Sequence, residues 1–313
     1  MKIHNMILGV ACVVALGMSS ASAAFLVNEA SGTEIYSSSG THTGTFATGL
    51  NIPVGIAEGG GYVFIGEYGT GQTLKYSTGG AYLGVVNSGA NAGWGTAGLA
   101  FTNGRIQSGL NGAGYVTSIA PDAGTEDGSP STPGGYLYAD MTSWANGNPS
   151  GMTSLDANGA PGYVAFTTVN LDGSGALNYW GPGVAAGTYV TFTTGAGARG
   201  VVAAGSSTFY VALFDAGKVA KVSYDVVLGW TQSDWLTGLN TPVGLAIDGG
   251  NLYVGSYLGQ TITGYSLADA SLQSSFATAA SPQYFIVSAI PEPSTIGLMS
   301  LAGLGFFARR KRA

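Results

Sequence analysis

The chain has 313 residues, 45% of them hydrophobic and only 8% charged, with 53 glycines and a single cysteine. Low charge with 11% aromatics excludes an intrinsically disordered chain, and glycine without a three-residue period excludes a collagen-type helix. Between Glu29 and Glu292 five basic residues stand against sixteen acidic ones, a net charge of −11; nucleic-acid binding, which draws on Lys and Arg contacts to phosphate, is set aside.

The first segment reads MKIHNMILGVACVVALGMSSASAAF. Lys2 supplies a positive start, Met6 to Met18 is an apolar stretch, and Ala21-Ser22-Ala23 is a small-residue cleavage site. Residues 1–23 therefore read as a signal peptide cut between Ala23 and Ala24. A retained membrane helix fits less well, because the run is short and ends in Ser and Ala. A lipoprotein would use Cys12 as its lipid acceptor, yet the apolar stretch continues past it. Without this segment the chain has no disulfide, thiol nucleophile or thiolate metal site.

The body, residues 24–288, is repetitive. TGLNIPVGIAEGGGYVFIGEYGTGQTLKYS from Thr48 and TGLNTPVGLAIDGGNLYVGSYLGQTITGYS from Thr237 share one plan: a Pro-led start, an apolar strand, a Gly turn, and two further strands. Weaker copies begin at Trp94, where Asn103-Gly104 marks a hairpin, at Pro149 and at Ala198. Gly55, Gly98, Gly151, Gly200 and Gly244 align with steps of 43, 53, 49 and 44 residues. That spacing suits four-stranded propeller blades of about 40–50 residues.

The two ends complement each other. AAFLVNEASGTEIYSSSGTHTGTF, from Ala23, has the form of a repeat that lacks its first strand, and SPQYFIVSA, from Ser281, has the form of that missing strand. The expectation is an all-β, six-bladed β-propeller whose C-terminal strand completes the N-terminal blade and closes the ring, removing two sheet edges. Strands such as YVFIG, apolar on both faces, fit the middle of a blade. The pattern GLN-P-GLA-D-GNLYVG resembles the NHL-type six-bladed propellers, best over Leu239–Tyr265. Where NHL repeats continue with Asp, Asn and Arg, this chain has GEYGTGQTL and GSYLGQTI, so the resemblance implies the architecture and not a partner.

Candidate chemistry is sparse. His42 is the one histidine outside the first segment and reads as exposed, leaving no base for a hydrolytic triad and no zinc set; no catalytic or cofactor-binding residue is assigned. Asn170, Asp172 and Ser174 alternate before a glycine in NLDGSG, a possible calcium loop, although Gly181 stands where an EF-hand needs glutamate; a plain hairpin turn is the other reading. PDAGTEDGSP, at Pro121–Pro130, clusters Asp122, Glu126 and Asp127 in the same way. Six-bladed propellers include lactonases and lyases that hold a metal in the central channel. Glu58, Asp156 and Asp248 follow the first strand of three repeats and suit turns at the rim better than channel ligands. Trp94, Trp144, Trp180, Trp230 and Trp235 either form sugar-stacking platforms or pack between blades.

The last segment, 289–313, reads AIPEPSTIGLMSLAGLGFFARRKRA. Pro291-Glu292-Pro293, an apolar run over Ser294–Ala308, and the basic tail Arg309-Arg310-Lys311-Arg312 together resemble the PEP-CTERM sorting signal of Gram-negative bacteria. The apolar run, as a helix of about 22 Å at ~1.5 Å per residue, is short for a ~30 Å hydrocarbon core. Snorkelling basic side chains make up part of the deficit, and the tail holds the C-terminus in the cytoplasm. The two prolines keep the motif extended. The resemblance implies processing by an exosortase-type enzyme, a transient membrane anchor, and display at the cell surface or in an extracellular matrix. The protein on this reading is a non-enzymatic module that binds exopolysaccharide or surface proteins. The alternative is a metal-dependent, calcium-like propeller lactonase or polysaccharide lyase.

Overall fold

The structure, a computed structural model, describes residues 23–87, 95–111, 115–119, 137–140, 148–156, 162–181, 184–205 and 207–289. The proposed signal peptide, the Pro121–Pro130 loop, Trp94, Trp144 and the sorting segment from 290 onward lie outside these residues. The described residues contain 24 strands in six four-stranded antiparallel sheets and no α-helix.

Each sheet is one blade, numbered from the axis outward. The second blade runs β4 (Pro53–Gly59), β5 (Tyr62–Glu67), β6 (Thr73–Ser77), β7 (Tyr82–Asn87), and the third β8 (Gly95–Thr102), β9 (Arg105–Asn111), β10 (Tyr115–Ile119), β11 (Leu137–Asp140). The fourth is β12 (Asn148–Ser154), β13 (Val164–Val169), β14 (Gly175–Gly181), β15 (Val184–Phe192). The fifth is β16 (Ala198–Ala203), β17 (Thr208–Leu213), β18 (Lys218–Asp225), β19 (Gly229–Leu236). The sixth is β20 (Pro242–Asp248), β21 (Asn251–Ser256), β22 (Thr261–Ser266), β23 (Leu272–Ala277). The first blade joins both ends of the body: β24 (Phe285–Ser288) lies innermost, followed by β1 (Ala24–Asn28), β2 (Gly32–Ser37) and β3 (His42–Thr48). The ring closes as the repeat pattern predicts.

The apolar residues explain the stacking. A strand turns alternate side chains to opposite faces, and the middle strands of a blade face a neighbour on both sides. In β5, Val63 and Ile65 pack toward Leu26 of the first blade, whereas Phe64 packs toward Leu99 and Ile106 of the third. All three β5 residues are fully buried. Six apolar clusters among the described residues occupy the six boundaries between blades. At ~1.5–3 kcal/mol for each large side chain fully buried, these boundaries are the main cohesive element, since no helix or disulfide joins the blades.

The aligned glycines set the distance between inner strands. A Cβ on Gly151 would stand 2.2 Å from the carbonyl oxygen of Arg199, and one on Gly200 2.2 Å from that of Val243. Gly55, Gly98 and Gly244 meet the next blade's backbone oxygen in the same way. The register between first and second strands slips at each of the five positions, by a bulge that brings the glycine backbone against its neighbour. Only a residue without a side chain permits this approach.

The sixth boundary has no such glycine and uses Asn28. Its backbone pairs with Tyr284 and Gln283, and its buried side-chain amide donates to the carbonyls of Val54 (3.1 Å) and Gly55 (3.0 Å) in the second blade. Thr33 donates to Asn28 Oδ1 at 2.7 Å, completing the polar set. Nearby, the Glu29 carboxylate accepts from the Tyr36 hydroxyl and the Ala280 N–H, both at 2.7 Å, while Ala279 N–H donates to the Tyr36 oxygen at 2.8 Å. These bonds tie the start of the body to the segment before β24. Burial raises the Glu29 pKa, and burial with the Glu29 contact raises that of Tyr36.

Candidate functional site

The residue preceding each aligned glycine faces the axis. Val54, Ala97, Ser150, Arg199 and Val243, joined by Tyr284 just before β24, line one cavity of about 560 Å³ to which all six blades contribute. This is the mouth of the central channel, on the face where the inner strands begin. The volume falls within the ~300–1,000 Å³ typical of small-ligand sites. Its wall combines aromatic rings (Tyr68, Phe214, Tyr257) with amides (Asn111, Asn148, Gln283). Exposed apolar side chains, Ile52, Tyr68 and Leu171, stand around the opening.

Arg199 carries positive charge into this mouth. Its guanidinium carbon lies 5.5 Å from the centroid of the Phe214 ring, a cation–π contact. Among the described residues no carboxylate comes within ion-pair distance of it. Asp215 lines the same cavity and is exposed. The backbone of Arg199 is held by Thr167, fully buried in β13, whose hydroxyl donates to the Arg199 carbonyl and accepts the Gly151 N–H at 2.8 Å. Across the axis the hydroxyls of Tyr284 and Ser150 are 3.2 Å apart. Burial raises the Tyr284 pKa, while the Ser150 hydrogen bond and the Arg199 charge oppose the rise.

The candidates read from the sequence sit as follows. Asn170, Asp172 and Ser174 form the turn from β13 to β14 at the edge of the mouth. Asp172 Oδ1 accepts from the Ser174 N–H (2.9 Å) and hydroxyl (2.6 Å), and Asn170 Nδ2 donates to Ser174 Oγ at 3.0 Å. These oxygens are engaged with one another in the geometry of an Asx turn, and the Ser174 contacts lower the Asp172 pKa. Glu58, Asp156 and Asp248 lie in or beside the hairpins at the opposite face. There Asp156 accepts from the Thr102 hydroxyl, the Asn103 N–H and the Gly162 N–H. His42 Nε2 pairs with Glu34 at 2.8 Å on the exposed outer part of the first blade. Trp180 is buried in the third–fourth boundary. Trp230 packs on Tyr189 at 4.5 Å and Trp235 on Tyr210 at 4.7 Å, so these three tryptophans pack at boundaries between blades. Among the described residues no group of three His, Cys, Asp or Glu side chains converges as a metal set.

Sequence reasoning missed Arg199. The signal was present in the alignment of repeats: the column before the glycine reads Val, Ala, Ser, Arg, Val, and one member is charged.

Comparison with known proteins supports two separate parts of this chain. The family profile of the PEP-CTERM protein-sorting motif matches residues 289–312. Such signals mark proteins exported to the cell surface in Gram-negative bacteria, and the match implies export with an exosortase-type enzyme. No curated protein matches the chain. The fold is similar to a crystal structure of the nidogen/laminin complex, with TM-score 0.67 and 13% identity over 85% of this chain and 98% of that one. It is also similar to a streptogramin B lyase structure, with TM-score 0.53 and 14% identity over 82% of this chain and 74% of that one. At these identities the likeness is one of fold. No helix among the described residues is long and apolar enough to cross a membrane.

Proposed function

We propose that this protein is a surface or matrix binding module, displayed through its C-terminal signal and engaging carbohydrate or a surface protein at the channel mouth. Residues 1–23 direct export and are removed between Ala23 and Ala24. Ser294–Ala308 then holds the chain transiently in the inner membrane, with Arg309, Arg310, Lys311 and Arg312 on the cytoplasmic side. The exosortase-type enzyme acts near Pro291-Glu292-Pro293, and the propeller of residues 24–288 remains outside. The observation that carries the binding role is the mouth itself, an open cavity combining aromatic rings, amides and hydroxyls from six blades. Such a mixture suits orientation of a bound ligand. A nucleophile–base pair or a converging metal set, which the lactonase or lyase reading requires, is not found among the described residues of that cavity.

Mass spectrometry of the protein recovered from cells tests the route. A chain beginning at Ala24 and ending near the Pro-Glu-Pro motif is expected, and a C-terminus intact to Ala313 sinks the processing step. A glycan array and a surface-protein pull-down with the recovered protein test the role. Turnover of a lactone or polysaccharide, lost on chelation, overturns it in favour of an enzyme.

A further inference from the structure

The channel mouth holds a cation without a counter-ion. Of the residues lining it, Arg199 is the one base and Asp215 the one acid, and they do not form an ion pair. A guanidinium carries five donors in a planar fork matched to a carboxylate. Here its face rests toward Phe214 and no side-chain hydrogen bond engages its edge among the described residues. Arg199 is also one of only five bases in a body that is strongly acidic. Its backbone is fixed through Thr167, so the cation is positioned rather than left on a loose loop.

We infer that the mouth receives a saccharide bearing a carboxylate, a uronate ring, with Arg199 as its anion-binding residue. The inference rests on the binding-module reading above and names the ligand class. A single guanidinium with Asp215 on the same wall suits one negative charge per ring better than a phosphoryl group, which carries more charge. The Tyr284 and Ser150 hydroxyls and the Asn148 amide supply donors and acceptors for ring hydroxyls. Tyr68 and Tyr257 supply flat apolar faces of the kind that stack on sugar rings. Neutral sugars would leave the guanidinium without its anion, so the carboxylate gives selectivity.

The test is calorimetric titration of the full chain, wild type and Arg199→Gln, with trigalacturonate and with its fully methyl-esterified, neutral form. Wild type is expected to bind trigalacturonate more weakly as salt rises. R199Q is expected to lose on the order of 10- to 100-fold in affinity for it, as for a hydrogen bond to a charged group, and Arg199→Lys to recover part of that loss. Equal thermal melting of the variants separates this loss from misfolding; if R199Q fails to fold, R199K and the esterified probe decide the matter. Equal affinity of wild type and R199Q, or of both probes, overturns the anionic assignment while leaving a carbohydrate-binding module standing. Arg199-dependent binding of a trialanine carboxylate with no binding of trigalacturonate overturns the saccharide assignment. Absence of all binding here and on the glycan array removes the saccharide ligand altogether, leaving the surface-protein arm of the parent reading to the pull-down.

Discussion

The side-chain amide of Asn28 donates to the carbonyl of Val54 at 3.1 Å, bridging the blade built from both ends of the body to the second blade. A second bond, to Gly55, runs beside it. Asn28→Ala leaves two carbonyls without these donors at the boundary that lacks an aligned glycine. The expected cost is about 2–4 kcal/mol, from ~1–3 kcal/mol for each buried group left unsatisfied, read as a lower midpoint in denaturant. A midpoint equal to wild type would show that the clasp does not hold the ring shut.

Gly151→Ala places a methyl 2.2 Å from the Arg199 carbonyl oxygen, so the fourth and fifth inner strands must separate. Overpacking of this kind costs about 3 kcal/mol or leaves the chain unfolded. Gly44→Ala is the control: it lies in outer strand β3, its added carbon meets nothing within 4 Å, and its φ is not positive. Similar melting temperatures for the two variants would contradict the close-approach account.

Thr167→Val keeps the shape but removes the hydroxyl shared by the Arg199 carbonyl and the Gly151 N–H. Stability is expected to fall by about 1–3 kcal/mol. Thr167→Ser, which retains the hydroxyl, is expected to recover most of it. If Arg199 is positioned in this way, T167V also weakens trigalacturonate binding under conditions where the variant is fully folded, an effect a structural role alone would not produce.

Acid and neutral pH act on different carboxylates. Glu29 has its pKa raised by burial above 4.5, so the folded state holds that proton more tightly than the unfolded chain. Its favourable contribution is complete below 4.5 and declines as pH rises through the folded value. Asp172, Asp225 and Asp269 have theirs lowered below 3.8, by hydrogen bonds from Ser174, from the Leu228 and Val227 N–H groups, and from Ser271. Their contribution is present above 3.8 and is lost as pH falls through the folded values. Denaturant titrations of wild type, Glu29→Gln and Asp225→Asn should separate the two windows. The wild-type advantage over E29Q falls with rising pH above 4.5, whereas that over D225N falls with falling pH below 3.8. The same slope in both differences would refute the assignment.

The fold was legible because its causes are periodic. Gly55, Gly98, Gly151, Gly200 and Gly244 recur wherever two backbones meet, and runs such as Val63-Phe64-Ile65 are apolar on both faces because both faces are covered. The incomplete repeats at the two ends revealed the ring closure for the same reason. The mouth was less legible because its residues differ from blade to blade, and a variable column looks like noise until the fold places it on one axis. Asn28 left no mark at all: its amide reaches across 26 positions to Val54, a contact that neither composition nor period encodes. The Asn170–Ser174 loop had the composition of a cation site, but the structure directs its polar atoms into the turn.

Ala24 lies opposite Ser288 in the pairing of β1 with β24, at the end of those strands away from Asn28 and Tyr284. The polypeptide therefore enters and leaves the ring at one point, on the side opposite the cavity. Whatever is attached there, whether the native C-terminal segment, a purification tag or a chip surface, shares its exit with the other end and leaves the opening on the far side accessible. A binding measurement on protein immobilised through either terminus thus samples the same unobstructed opening as protein in solution, and loss of the C-terminal segment after Ser288 removes no strand from the ring.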